Sequence, residues 1–365
     1  MKPRTRKKKI MMATLLGAAA VAAAGSVWWL SPPAVAAYPD SPHYDAASKK
    51  FANPQPLRGV TLGDGIGGLL KMAGGESRYA PKARLPMAQP DWSQFLSDDG
   101  THRFIWFGHS TLLMRVGGQT IAVDPIVGRS VSPLRFNMRR FQEPAAPLSE
   151  WPTPDVVLIS HNHYDHFEED TLRQFAAAGT HFIVPLGLGA YLKPLGVEDA
   201  AITELDWWQS IERAGIRHTL VPAWHTSGRA LNDGKRTFWG GHVIEHGGET
   251  IYYSGDSAYG THFAEIGQRF PDIGIAFIEN GQYDRRWPDD HMLPASTAQS
   301  ALDVKARRVV PVHWGAYTMA FHNWDDSVRQ SVPIMRERGL QPMTPMQGQV
   351  FDVGTETEEW YLKVQ

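Results

Sequence analysis

The run Ser160-His161-Asn162-His163-Tyr164-Asp165-His166 stands directly behind the apolar stretch Val156-Val157-Leu158-Ile159, and no other feature constrains this chain as much. A strand end that delivers three imidazoles and one carboxylate within six residues can converge them on one point, because the loop there is free of the ladder. Imidazole and carboxylate are the ligands that suit zinc and similar divalent ions. His161 and His163, two apart, can point the same way, while Asp165 and His166 turn with the loop toward a second ion. An isolated polar turn on a surface has no need of this composition.

Two metals need more donors than this run supplies, and the chain offers them behind other apolar stretches. His225 follows Leu220-Val221-Pro222-Ala223-Trp224, Asp256 follows Ile251-Tyr252-Tyr253-Ser254-Gly255, and His313 follows Val309-Val310-Pro311-Val312. Gly255 permits close backbone approach just before Asp256. Each polar residue closes a strand-like segment, so four elements can deliver ligands to a common edge. The 365 residues include fifteen histidines and no cysteine. That excludes a disulfide framework, a thiolate nucleophile, Cys-ligated zinc and a lipid-modified cysteine, and leaves His and carboxylate as the ligands of any metal.

Short apolar or alternating runs bounded by Gly, Asp and Pro predict strands at 104–107, 112–116, 120–123, 156–159, 182–184, 218–221, 237–239, 243–245, 250–253, 275–278 and 308–312. Helices are predicted at 169–178, 261–269, 296–303 and 324–338, with Thr261 and Ser296 suited to cap the second and third. Hairpin-rich strands with interspersed helices describe an α+β or mixed α/β layered domain. Residues 38–57, rich in Pro, Ser and Asn, predict an extended linker or an arm laid on the body, which occupies 58–365. The Gly-rich stretch Gly63 to Gly75 lacks the spacing and the following Lys of a phosphate-binding loop. A formal net charge of −2 gives no electrostatic reason to expect a nucleic-acid partner.

The basic charge is concentrated at the start. Lys2, Arg4, Arg6, Lys7, Lys8 and Lys9 precede an uncharged run from Ile10 to Leu30, and Ala34-Val35-Ala36 supplies small residues where a signal peptidase could cut. The run counts 21 residues, longer than the about 7–15 of a signal core and close to the about 20 of a spanning helix. Trp28 and Trp29 lie near its outer end, where aromatic residues favour the membrane interface. Residues 1–37 are therefore expected to be a membrane anchor or a signal, with length favouring the anchor. Either exports the body across the cytoplasmic membrane, as a membrane-anchored or periplasmic protein.

The HxHxDH run, the later single His, the Gly-Asp and the final His resemble the metallo-β-lactamase superfamily. The resemblance implies a four-layer αββα sandwich, two sheets packed between helices, with metals at one edge. Within the superfamily, the stretches Trp106 to Thr111, Val123-Asp124-Pro125-Ile126, Ile159 to His166, Pro185-Leu186-Gly187-Leu188, Glu204 to Trp208, Phe263 to Gly267 and Val312-His313-Trp314-Gly315 are similar to N-acyl-phosphatidylethanolamine-hydrolysing phospholipase D. The similarity runs from about Phe104 to about Trp314. It implies that His161, His163 and His225 hold a first zinc, that Asp165, His166 and His313 hold a second, and that Asp256 bridges them. It also implies that His291 is an active-site histidine close to the substrate phosphate, and that His109 and Asp124 support the site from behind. One departure stands out: Glu279-Asn280 and Gly281-Gln282-Tyr283-Asp284-Arg285-Arg286-Trp287 replace a less polar stretch bordering the substrate in that family.

The implied reaction is hydrolysis of a phosphodiester. Two ions roughly 3.5–4 Å apart can share one water, lower its pKa toward neutrality and stabilise the entering and leaving oxygens of an in-line displacement, so that metal-bound hydroxide attacks phosphorus. A lipid substrate and a membrane surface as partners would also suit the 13 tryptophans. The alternatives are a β-lactamase, a lactonase or another ester or phosphodiester hydrolase built on the same metals, and a non-catalytic, membrane-tethered metal-binding protein, which would be expected to have lost ligands.

Overall fold

The computed structural model describes residues 31–57, 78–133, 138–287 and 289–364. The basic and apolar head at 1–30 and the Gly63 to Gly75 stretch lie outside them. Among the described residues no helix is long and apolar enough to cross a membrane.

A small hairpin, β1 (Tyr44–Asp45) and β2 (Lys50–Phe51), precedes two larger sheets. The first is built from β3 (Arg103–Trp106), β4 (Leu112–Val116), β5 (Gln119–Val123), β6 (Val156–Leu158), β7 (His181–Pro185), β8 (Ile202–Leu205) and β15 (Val350–Phe351), in the order β15-β3-β4-β5-β6-β7-β8. The second contains β9 (Ser210–Arg213), β10 (Ile216–Val221), β11 (Gly241–His246), β12 (Glu249–Tyr253), β13 (Ile273–Glu279) and β14 (Arg308–Val312), in the order β14-β13-β12-β11-β10-β9. Among the described residues the helices of eight or more residues are α1 (Glu169–Ala177), α2 (His262–Arg269), α3 (Pro294–Asp303) and α4 (Asp326–Glu337). The pairs β6–β7, β12–β13 and β13–β14 are parallel, and α1, α2 and α3 supply the crossovers that parallel strands require.

Successive side chains on a strand point to opposite faces, and here both faces are covered. Phe104, Trp106, Met114 and Leu158 of the first sheet meet Ile251, Phe277 and Val310 of the second between the sheets. The alternate residues Ile105, Leu113 and Val157 pack outward with Leu172 and Phe175 of α1. Ala276 and Ile278 of β13 pack outward with Phe263 and Ile266 of α2 and Ala298 and Ala301 of α3. Burial on two faces is why β3, β6 and β13 read as continuous apolar runs. The architecture is the expected αββα sandwich.

Some predicted elements differ. Thr237-Phe238-Trp239 is buried and strand-like in composition, yet it is a loop wedged between β7 and the arm, with Phe238 N–H donating to Leu186 (2.8 Å) and no partner strand. β8 and β9 are strands that periodicity misses; every residue of β9 is exposed, so no apolar pattern marks it. Thr261 precedes α2 in helical conformation and makes no capping bond. α3 begins at Pro294 after Leu293, which places Ser296 inside it, because proline presets the helical φ and lacks an N–H that would go unpaired there.

His218 on β10 lies between Ile216 and Leu220 on the inter-sheet face, and neither ring nitrogen has a hydrogen-bond partner among the described residues. Burial, reinforced by His242, His181 and Arg213, lowers its pKa to about 3, and burial alone does the same to His262. Both are neutral when folded and charge at about pH 6.5 when unfolded, so the unfolded chain takes up more protons below that pH. Their contribution to stability is complete above pH 6.5 and falls by about 2.7 kcal/mol per pH unit as the pH drops toward 4. Urea unfolding midpoints measured from pH 7 to pH 4.5 should fall steeply in the wild type and less steeply in His218→Leu; equal slopes would contradict the assignment.

Candidate metal centre

β11 is antiparallel to both β10 and β12, so β10 and β12 run the same way and, with β13 and β14, open their carboxyl ends on one edge of the second sheet. β5 and β6 are likewise parallel in the first sheet. The edges are stitched together: His313 N–H donates to the His109 carbonyl (2.8 Å), and His109 N–H to the Trp314 carbonyl (2.7 Å). All seven predicted metal ligands converge there. Donor atoms of His161, His163 and His225 lie within 4.8 Å of one another, as do those of His161, His166 and Asp256, and those of His109, Asp165, His166 and His313. Asp256, His291 and His313 form a further such group. Asp256 touches both halves: its Oδ2 is 3.1 Å from His166 Nε2, 3.7 Å from His225 Nε2 and 3.8 Å from His161 Nε2, and its Oδ1 is 3.1 Å from His313 Nδ1.

Surrounding groups fix which nitrogen is bare on His161, His166 and His225. His161 Nδ1–H donates to Ser160 Oγ (2.9 Å), whose own proton goes to Asp124 Oδ2 (2.5 Å), leaving His161 Nε2 free to ligate. His166 Nδ1–H donates to the same carboxylate (2.7 Å). His225 Nδ1–H donates to the Asp290 carbonyl (3.1 Å). His109 Nε2–H donates to Asp165 Oδ2 (2.8 Å) and so orients that carboxylate. The bare nitrogens then crowd each other: His161 Nε2 is 2.8 Å and His225 Nε2 is 3.3 Å from His163 Nδ1. Three lone pairs facing one point fit a cation, and buried His166 Nε2, His313 Nε2 and Asp256 Oδ1 have no hydrogen-bond partner among the described residues. The donor set, nitrogen and carboxylate oxygen, is one that zinc accepts.

The electrostatics agree. Burial pushes His161, His225 and His313 well below the usual imidazole range, favouring the neutral form that ligates. Burial also opposes charge on His166, but Asp256, Asp165 and Asp124 outweigh it and raise its pKa well above normal. The same negative potential favours a divalent cation, which would displace that proton.

His291 stands beside the cluster with its ring 5.1 Å from that of His313 and 5.4 Å from that of His225. Its Nδ1 is 3.4 Å from Glu279 Oε1. Burial alone would lower the His291 pKa; Glu279, Asp256 and Asp290 reverse this and raise it to about 9. Glu279 is fully buried at the end of β13, accepts from Gly281 N–H (3.2 Å) and Met292 N–H (3.0 Å), and is pushed up to about 7 by burial against the pull of His291. Sequence reasoning registered Glu279 only as a departure in polarity. The signal was available, since it closes an apolar strand just as Asp256 and His313 do. Tyr253 was also missed: its hydroxyl donates to Asp124 Oδ2 (2.5 Å).

Placing so many groups together distorts the main chain. His109, Asp124 and His313 hold φ of +51°, +39° and +70°, a left-handed region that non-glycine residues rarely occupy. Such strain persists only where the surroundings over-determine it. Gly255, at φ +59°, has no room for a Cβ, which would sit 2.9 Å from both the Gly240 oxygen and Ser160 Cβ.

Residues 119–314 match the model of the β-lactamase superfamily domain. An uncharacterized protein of Mycobacterium tuberculosis is 31% identical over 283 residues, which cover 76% of this chain and 75% of that protein. N-acyl-phosphatidylethanolamine-hydrolyzing phospholipase D 1 of Caenorhabditis elegans is 29% identical over 248 residues, 64% of this chain and 69% of the enzyme. The solved structure of Igni18, a metallo hydrolase from Ignicoccus hospitalis, superposes with a TM-score of 0.52 over 69% of this chain and 97% of that one, at 19% identity. Fold, clustered donors and matched domain coincide, and the chain belongs to the metallo-β-lactamase superfamily as one of its metal-dependent hydrolases.

Proposed function

We propose that the chain is a zinc-dependent phosphodiesterase of phospholipase D type, acting on N-acyl-phosphatidylethanolamine-like phospholipids at a membrane surface outside the cytoplasmic membrane. The observation that carries the phosphodiesterase reading is the joining of two donor sets through one buried carboxylate. His161, His163 and His225 would hold one zinc; Asp165, His166 and His313 would hold the other, with Asp256 shared. Two adjacent zinc ions supply an activated water and positive charge for both entering and leaving oxygens, which suits in-line displacement at phosphorus. The lipid reading is supported by the likeness to the Caenorhabditis elegans phospholipase D, and export by the basic and apolar head of the sequence.

The chain's own residues divide the remaining work. Asp124, through Ser160 and His166, keeps two imidazoles in the ligating tautomer. His109 aims Asp165. Glu279 turns Nδ1 of His291 toward itself, leaving that ring to hold the proton that the departing alkoxide takes up as the phosphorus–oxygen bond breaks.

The test is hydrolysis of N-acyl-phosphatidylethanolamine in mixed micelles by the full chain, before and after chelation and after zinc is returned. The expected products are phosphatidic acid and the N-acylethanolamine, with activity lost on chelation and restored by zinc. Metal-dependent opening of a lactone without any cleavage of the lipid would replace the phospholipase reading with the ester-hydrolase one.

A further inference from the structure

We propose that the arm at residues 38–53 is part of the metal centre and that Asn53 is a positioning residue for His225. This rests on the metal-centre reading above and is independent of the lipid substrate. Three contacts fasten the arm to the body. Tyr38 donates its hydroxyl proton to Glu204 Oε2 (2.6 Å). His43 Nδ1 is 2.9 Å from Asp206 Oδ1, and its ring lies against Trp207 and Phe238. Phe51 is buried with its ring 4.8 Å from that of Phe238, while its N–H donates to the Lys235 carbonyl (2.8 Å).

Two residues beyond Phe51, the Asn53 amide Nδ2–H donates to the His225 carbonyl (2.7 Å). Its Oδ1 accepts from Trp239 Nε1–H (3.3 Å), which also donates to the Ala223 carbonyl (2.9 Å). One side chain thus ties together both limbs of the loop that carries His225. β10 ends at Val221, and beyond it the main chain beside His225 leaves the ladder: Trp224 bridges Ala258 and donates its N–H to Ser257 Oγ (2.9 Å), while Asn53 holds the next residue, His225. Asp290 holds the His225 ring from one side and Asn53 holds its main chain from the other, so that Nε2 points at His161 and His163. A ligand restrained at ring and backbone has little freedom to drift from the cation, and groups behind a ligand typically govern metal affinity about 10–100-fold. The matched superfamily domain, 119–314, does not include this clamp.

The test titrates zinc into the chelator-stripped full chain for wild type, Asn53→Ala and Asn53→Asp. Affinity is read by competition with a chromophoric chelator, and the zinc-induced rise in melting temperature is measured beside it. Asn53→Asp keeps the shape and the acceptor for Trp239, but it has no N–H for the His225 carbonyl and sets a negative charge against it. The expected result is that one of two zinc equivalents binds about 10–100-fold more weakly in both variants, with a smaller zinc-induced rise measured from each variant's own metal-free melting temperature. If Asn53→Ala does not fold, Asn53→Asp alone decides. Wild-type zinc affinity in Asn53→Asp would overturn the role of Asn53. A wild-type chain that binds no zinc would overturn the metal centre itself.

Discussion

Asp256→Asn is expected to lower kcat/KM by about a thousandfold while the fold persists. Asp256 reaches both donor sets, through Oδ2 toward His161, His166 and His225 and through Oδ1 toward His313. The amide has the same shape but no charge, and its NH2 would face bare imidazole nitrogens or a cation. Loss of the shared ligand removes several kcal/mol of transition-state charge stabilisation, and about 4 kcal/mol at 1.36 kcal/mol per decade is three powers of ten. Burial alone would raise the Asp256 pKa; His166 and His313 hold it well below the carboxylate range, so the group being replaced is an anion. Steady-state kinetics with zinc content measured on the same sample checks this. Activity within tenfold of wild type at equal zinc content would mean that Asp256 is not shared between two ions.

Asp124→Asn should be the most destabilising substitution at the site. Its two buried oxygens accept from Ser160 N–H (2.8 Å), Ser160 Oγ–H (2.5 Å), His166 Nδ1–H (2.7 Å) and the Tyr253 hydroxyl (2.5 Å). An amide can serve the Ser160 N–H through its oxygen, but its NH2 then opposes three donors at a fully buried position. Breaking a buried, hydrogen-bonded charge network of this kind costs about 3–5 kcal/mol. For a domain of this size that is a melting-temperature loss of roughly 10 °C. The tautomers of His161 and His166 are released at the same time, so zinc affinity falls together with stability. Thermal melts with and without zinc check both effects. A variant that keeps its melting temperature but loses zinc would show Asp124 acting on the metals alone.

The clustered donors were legible because they stand behind apolar runs, and a loop at a strand end is where polar side chains can converge without breaking a ladder. His161, His163, Asp165 and His166 could be read from their own spacing. His225, Asp256 and His313 could be read only once that first run raised the need for partners. Glu279 obeys the same rule and was passed over, because a single carboxylate behind an apolar strand is also what an ordinary turn contains. Thr237 to Trp239 reads as a strand since burial and β-branched or aromatic composition mark any well-packed extended segment. β9 escapes for the opposite reason, being exposed along its whole length.

The sequence by itself determined the chemistry of the site, nitrogen and carboxylate donors without thiols, together with the layered class of the fold, because both follow from residue type and local periodicity. Only the tertiary structure decided which ring nitrogen each histidine presents, that Asp256 lies between the two donor sets, that Glu279 stands behind His291, and that Asn53 reaches His225 from 172 positions away in the chain. Those are properties of strand order and of the space left between two sheets, and no local pattern encodes a distance between segments that meet only after the sheets have packed.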